Sequence, residues 1–344
     1  MIKRFAKMVL LLIACLAGTG SIWKQGPPRP YKVEYPSYFG NRINIPEDNP
    51  LTEEGVRLGR MLFYETALSS GNRISCASCH KQELAFTDGL QFSIGVDGTP
   101  TPRNSMSLAN LLWVRNFFWD GRAEGLEKQA ETPLTNPHEM GQALAISAQK
   151  LQQSPIYPAL FRDAFGSNVI TDNKIVKALS QFERTLISSN STYDQYLRGE
   201  YQPTASELNG ITLFFDPGGA GCGHCHGGPK TFSELFHNNG LDSIPEDAGR
   251  KAITGQEYDN GRFRVATLRN IALTAPYMHD GRFKTLEEVA DHYSDHIQAS
   301  ATLSPFLENR QKLTMQEKKD LVAFLHLLTD STFITDKRFS NPFK

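Results

Sequence analysis

The chain has 344 residues, 40% of them hydrophobic and 21% charged. This is an ordinary globular composition, long enough for two domains. Its formal net charge of −1 lacks the Lys/Arg excess that marks a nucleic-acid binder or a protein held on an anionic membrane by charge.

Lys3, Arg4 and Lys7 open the chain and precede the apolar run "MVLLLIA". That run falls short of the roughly 20 apolar residues that span a bilayer. It ends in "LIAC", Leu12 to Cys15, which resembles the bacterial lipobox, whose cysteine carries the lipid. Residues 1–15 therefore read as a lipoprotein signal peptide. Cys15 would anchor the protein on the periplasmic side of the cell envelope; an ordinary secretory signal is the alternative. The stretch "KQGPPRPYKVEYPSYFGN" follows, and residues 16–45 are expected to form an extended tether.

Beyond the tether the chain reads as built twice. "GRMLFYETALSSGNRISCASCH" begins at Gly59 and "GITLFFDPGGAGCGHCH" at Gly210. Each Leu-Phe pair ends a predicted helix and is followed by a Gly/Ser loop and CxxCH. In "DNKIVKALSQFERTLIS", Ile175, Leu179, Phe182 and Leu186 share a helix face. Thr204 with Glu207, and Thr314 with Glu317, have the spacing of capping boxes. Leu321, Phe324, Leu325 and Leu328 then follow the helical apolar period. No run alternates as a strand does. The stretches from Thr87 to Asn104 and from Phe232 to Arg264 read as ordered loops of the kind that line functional sites.

The cysteines are Cys15, the pair Cys76 and Cys79, and the pair Cys222 and Cys225. With Cys15 lipidated, the others all lie in CxxCH, and none is left for a structural disulfide. A structural zinc site needs four ligands closed into a tetrahedron. Each CxxC supplies two, and the copies stand 146 residues apart. The histidine placed directly after the second cysteine favours covalent c-type haem. His80 and His226 are then the proximal ligands of two haem irons, with Cys76, Cys79, Cys222 and Cys225 as attachment points. The expected fold is all-α: two cytochrome c-like domains, 46–195 and 196–344, each with one covalent haem and long ordered loops. The boundary falls in Ser189–Pro203.

From about Asn49 onward the chain resembles the bacterial di-haem cytochrome c peroxidase and MauG family. The resemblance rests on "RNSMSLAN", "FFWDGRAEGLEKQAETPLTNPHEM", "FRVATLRNIALTAPYMHDGRFKTLEEV" and both CxxCH motifs, in the family's order. It implies a peroxide site at the first haem, an electron relay at the second and a calcium ion between them. By position, Glu139 matches the catalytic glutamate, Gln129 the pocket glutamine and Trp119 the tryptophan between the haems. The Asn104 side chain and the carbonyls of Thr274 and Pro276 match the calcium ligands. The family also implies hydrogen peroxide as oxidant, a small cytochrome c or copper protein as electron donor, and often a homodimer.

The chain departs from the activation-dependent peroxidases of the family at two positions. Val96 stands where they carry a distal histidine on the first haem, and no histidine lies between His80 and His138. The first iron is therefore expected to be open in the oxidised protein. Fourteen residues after His279, where the peroxidases place a methionine ligand to the second haem, stands Tyr293. An anionic phenolate would favour ferric iron; Met278, His292 and His296 compete for the role.

The expected activity is that of a peroxide-dependent di-haem oxidoreductase, with electrons relayed through the second haem from a donor protein. One alternative is a MauG-like enzyme that oxidises Trp or Tyr side chains of a protein substrate through a high-valent di-haem state. Another is a non-catalytic di-haem electron carrier, against which Glu139 and Gln129 argue.

Overall fold

The computed structural model describes residues 26–308 and 310–344; the expected signal peptide, with Cys15, lies outside them. Six helices organise the two halves. They are α1 (Glu53–Phe63), α2 (Leu126–Thr135) and α3 (Asp172–Glu183) in the first half. The second half has α4 (Ala205–Phe215), α5 (Leu286–Asp295) and α6 (Met315–Leu327). Both expected capping boxes form, and Thr285 with Glu288 makes a third at the start of α5. Each satisfies backbone N–H groups that a helix start leaves unpaired.

The expected apolar faces are the buried ones. Ile175, Leu179, Phe182 and Leu186 are closed from solvent on α3 and just past its end, and Leu321, Phe324, Leu325 and Leu328 on and just after α6. The repeated glycines explain why the two halves share a helix crossing. A Cβ on Gly59 would lie 1.9 Å from the Ala178 carbonyl oxygen, and one on Gly210 would lie 2.0 Å from that of Asp320. Only glycine lets α1 approach α3, and α4 approach α6, this closely.

Sheet is confined to two antiparallel ladders. In the first, β1 (Asn116–Phe117) pairs with β2 (Ala123–Glu124), Phe117 opposite Ala123. In the second, β3 (Phe236–His237) pairs with β4 (Phe263–Arg264), Phe236 opposite Arg264. The β1–β2 connection carries Trp119, whose carbonyl accepts from the Arg264 backbone N–H at 2.7 Å. The fold is thus mainly helical with long loops.

Two apolar cores follow the two halves, one running from Leu58 to Leu186 and the other from Tyr193 to Leu328. The chain crosses between them at both ends. Residues 35–45 are packed and do not hang free as the expected tether does. Phe39 is buried with Leu112 and Trp113, Tyr35 meets the Trp113 ring edge-on at 5.0 Å, and Lys230 donates to the Phe39 carbonyl. The aromatic residues of this stretch have a surface to bury, which composition does not reveal. At the other end, Phe333 and Phe339 join the first core, so the last residues of the expected second domain pack on the first. Among the described residues, no helix is long and apolar enough to cross a membrane.

Candidate active site: two matched cavities

The first CxxCH forms a one-turn helix, Cys76–Cys79, with His80 at its end. His80 Nδ1 lies 2.7 Å from the Phe86 carbonyl oxygen, and His226 Nδ1 lies 3.2 Å from that of Thr231. In each case the carbonyl fixes Nδ1 as the protonated nitrogen and leaves Nε2 for a metal. Burial holds both imidazoles below the usual range, His226 at about 4. Both are therefore neutral, as ligands must be.

Each motif opens into a cavity. Cys76, Cys79 and His80 line one of about 730 Å³. Cys222, Cys225 and His226 line another of about 230 Å³. The cysteines are unpaired. A third observation fits a haem in particular. Arg264 is buried, lines both cavities, and its Nε has no hydrogen-bond partner. Burial lowers its pKa to about 10. A buried, unpaired guanidinium is costly, and the carboxylates that a haem carries are the counter-charge it lacks. No cluster of three or more His, Cys, Asp or Glu side chains among the described residues is arranged to hold a metal ion.

The first cavity is also lined by Gln129 and Pro133 from α2 and by Glu139 from the turn after it. Glu139 Oε1 accepts from the Asn136 amide at 2.8 Å. Burial nevertheless pushes its carboxyl above the usual range. The Val96 backbone N–H donates to the Glu139 carbonyl at 2.8 Å. Its side chain packs at Gly141, where a Cβ would come 2.9 Å from Val96 Cγ1. His138 is exposed and bonds Asp97 at 2.8 Å, outside the cavity.

In the second cavity α5 presents Tyr293. The Asn239 amide lies 3.3 Å from both the Tyr293 hydroxyl and the Met278 sulfur. Burial raises the Tyr293 phenol to about 12. Two of its three rivals lie outside this wall. His292 Nε2 bonds the Asn239 carbonyl at 3.0 Å, and His296 is exposed. Met278 remains. His279 lines the cavity edge with its ring stacked on Phe263 at 3.7 Å.

Trp119 lines both cavities. Its indole N–H donates to the Asn104 carbonyl at 2.9 Å. Asn104, Thr274 and Pro276 meet at a small cavity of about 70 Å³, also bordered by Trp119. The haem-attachment residues, Glu139, Gln129, Trp119, Tyr293 and the three residues matched to calcium ligands thus each border one of these three spaces, whereas Val96, His292 and His296 do not.

The two distal walls are copies of each other at a spacing of 160 residues. Asn110 and Asn270 share a left-handed backbone, φ 62° and 63°, as do Phe118 and Met278, φ 66° and 74°. The same spacing pairs Trp119 with His279, and Pro133 on α2 with Tyr293 on α5. At the position where the second cavity receives a hydroxyl, the first receives a proline ring, which cannot ligate.

Residues 53–202 match the family model described as di-haem cytochrome c peroxidase. The MauG protein of Methylorubrum extorquens is 37% identical over 290 residues, covering 82% of this chain and 80% of its own. The cytochrome c551 peroxidase of Nitrosomonas europaea is 35% identical over 337 residues, 96% of this chain and 92% of its own. A solved MauG-like protein associated with microbial copper homeostasis superposes with a TM-score of 0.86 at 40% identity, over 91% of this chain and all of that one. The chain belongs to the di-haem cytochrome c peroxidase and MauG family. Peroxidases and MauG proteins alike are di-haem oxidoreductases, and two c-type haems are the cofactors the family implies. Within this family frame, Asn239, Arg264 and Glu183 are wall residues that sequence reading missed. Two of them sit in loop or strand segments without periodicity, and Glu183 is masked by the helix face on which it lies.

Proposed function

We propose that the protein is a MauG-type enzyme that uses hydrogen peroxide, starts from the fully oxidised state, and removes electrons from Trp or Tyr side chains of a protein substrate. The observation that carries this reading is the Pro133–Tyr293 pair. The first cavity has a proline where the second has a phenol with an amide donor at its oxygen. An open iron can take peroxide without prior reduction, and an anionic oxygen ligand favours oxidised iron.

When bound, the haems supply the iron chemistry of peroxide reduction and electron storage; the chain supplies the rest. His80 and His226, whose Nδ1 atoms are engaged by carbonyls, would hold the irons. Glu139 moves the proton between the peroxide oxygens through Oε2, since Oε1 is occupied by Asn136. The Gln129 amide orients the peroxide. Trp119 passes electrons across the shared wall. A calcium ion bound by Asn104 Oδ1 and the Thr274 and Pro276 carbonyls fixes the loops on either side. Export as a lipoprotein through Cys15 would place this chemistry in the periplasm. Because the 40%-identical relative is associated with copper homeostasis, a copper-handling protein is the first substrate class to test.

A second reading rests on Met278, which lines the same cavity within reach of the same amide. With Met278 on the second iron, the protein is a peroxidase fed by a small cytochrome or copper protein. One equivalent of peroxide added to the oxidised protein separates the two. A rapid change with a new near-infrared band is expected, and Tyr293→Phe should abolish the band. A rapid change without the band gives the peroxidase reading. No change until one haem is reduced would overturn the open first site.

A further inference from the structure

Glu183 ends α3 and takes no part in the chemistry above. It is 5% exposed and lines the first cavity beside Cys76, Leu179, Ala130 and Pro133. Its Oε2 is buried with no hydrogen-bond partner. The neighbouring cation is already engaged. Arg184 holds Glu127 through two bonds of 2.7 and 2.8 Å and donates to the Asn44 carbonyl at 3.0 Å. From α2, Glu127 adds negative charge, and the CxxCH turn contributes only the Cys76 thiol. The other walls carry the acids Glu139, Asp120, Glu246 and Asp247 and the cations Arg103, Arg122 and Arg264. Burial dominates and pushes the Glu183 carboxyl up to about 8, which Arg184 moderates and Glu127 reinforces. A buried acid with an unsatisfied oxygen calls for an explanation.

We propose that Glu183 is the redox-linked proton site of the first haem, binding a solvent proton when that iron gains an electron and releasing it when the electron leaves. The proposal rests on the first cavity holding a haem. An electron entering the cavity adds one negative charge, and a carboxylate in the same low-dielectric wall makes that charge costlier. Ferric iron, an electron, the Glu183 carboxylate and a proton give ferrous iron and the neutral acid, so the charge of the cavity does not change.

The test is a spectroelectrochemical titration of the haem-loaded protein between about pH 5 and pH 10, without peroxide. The sign follows from uptake: the first haem becomes harder to reduce as pH rises. The expected dependence is a tenfold fall in its reduction equilibrium per pH unit, or 59 mV, across the window where Glu183 titrates. The second haem should lack this dependence. Glu183→Gln keeps shape and burial but cannot exchange the proton, so its first-haem potential should be flat with pH. Glu183→Asp should keep the slope and displace the window. A flat wild-type curve, or an undiminished slope in Glu183→Gln with both haem spectra intact, overturns the proposal. Since no peroxide is used, failure here leaves the peroxide chemistry standing, and failure of the peroxide reaction leaves this measurement interpretable.

Discussion

Glu139 and Glu183 share the first cavity and differ in what surrounds them. Glu139 has an amide donor on one oxygen and the Arg122 charge nearby, which counter only part of the upward push of its burial. Glu183 has no donor on Oε2. Environments that separate two titrating groups also separate their roles: Glu139 is poised to lose and regain its proton during peroxide cleavage, and Glu183 to exchange one with solvent as the first haem changes its charge. Removing the Glu139 carboxylate should therefore strike the peroxide step itself. Glu139→Gln is expected to slow the peroxide reaction of the oxidised protein by about 10²- to 10⁴-fold, read by stopped-flow absorbance. The wild-type rate should rise with pH as Glu139 ionises, with a midpoint above the ordinary glutamate value because burial raises it. The variant's rate should be flat there; a parallel rise would assign the base to another group. Glu139 was legible because "NPHEM" matches a family motif. Glu183 was not, since in "SQFERTL" it interrupts no pattern and only the folded wall shows that its oxygen lacks a partner.

At the scale of elements, the helix pairs were the most legible part of the molecule. Their apolar period and Thr caps are local, and local signals survive without knowledge of what packs against them. The repeated Gly-x-x-Leu-Phe was visible too, though its reason was not: the glycine is demanded by a carbonyl more than 100 residues away in each half. Alanine at either crossing should force α1 from α3, or α4 from α6. Overpacking of this kind typically costs about 1–3 kcal/mol, and each kcal/mol lowers Tm by about 2–4 °C in a fold of this size. Gly59→Ala and Gly210→Ala are each expected to show such a loss by calorimetry. An unchanged Tm for either would mean that the crossing opens without cost. The copied distal walls escaped sequence reading because only scattered residues persist at the 160-residue spacing. The backbone preserves what the side chains have lost, and the divergence at Pro133 and Tyr293 is where the two cavities take on different work.

At the scale of the whole molecule, the chain ties its halves together by exchanging its ends. Composition marks the stretch before α1 as extended, and the sequence counts the last residues into the second domain, because burial by a distant partner has no sequence period. The C-terminal tail reaches furthest into function. Phe333 is 2% exposed, and its ring lies 5.4 Å from that of Phe86. Phe86 has the left-handed φ of 62° that turns the backbone at this point, and its carbonyl takes the His80 Nδ1 bond. A residue at the end of the second half thus braces the carbonyl that orients the first proximal histidine. Phe333→Ala should cost about 3–5 kcal/mol through the cavity it leaves. A merely structural loss would stop there. If the brace is real, His80 also loses its fixed orientation, and the visible and EPR signals of the first haem should shift while those of the second stay in place. Equal disturbance of both haems, or of neither, would show that the tail stabilises the fold without reaching the peroxide site.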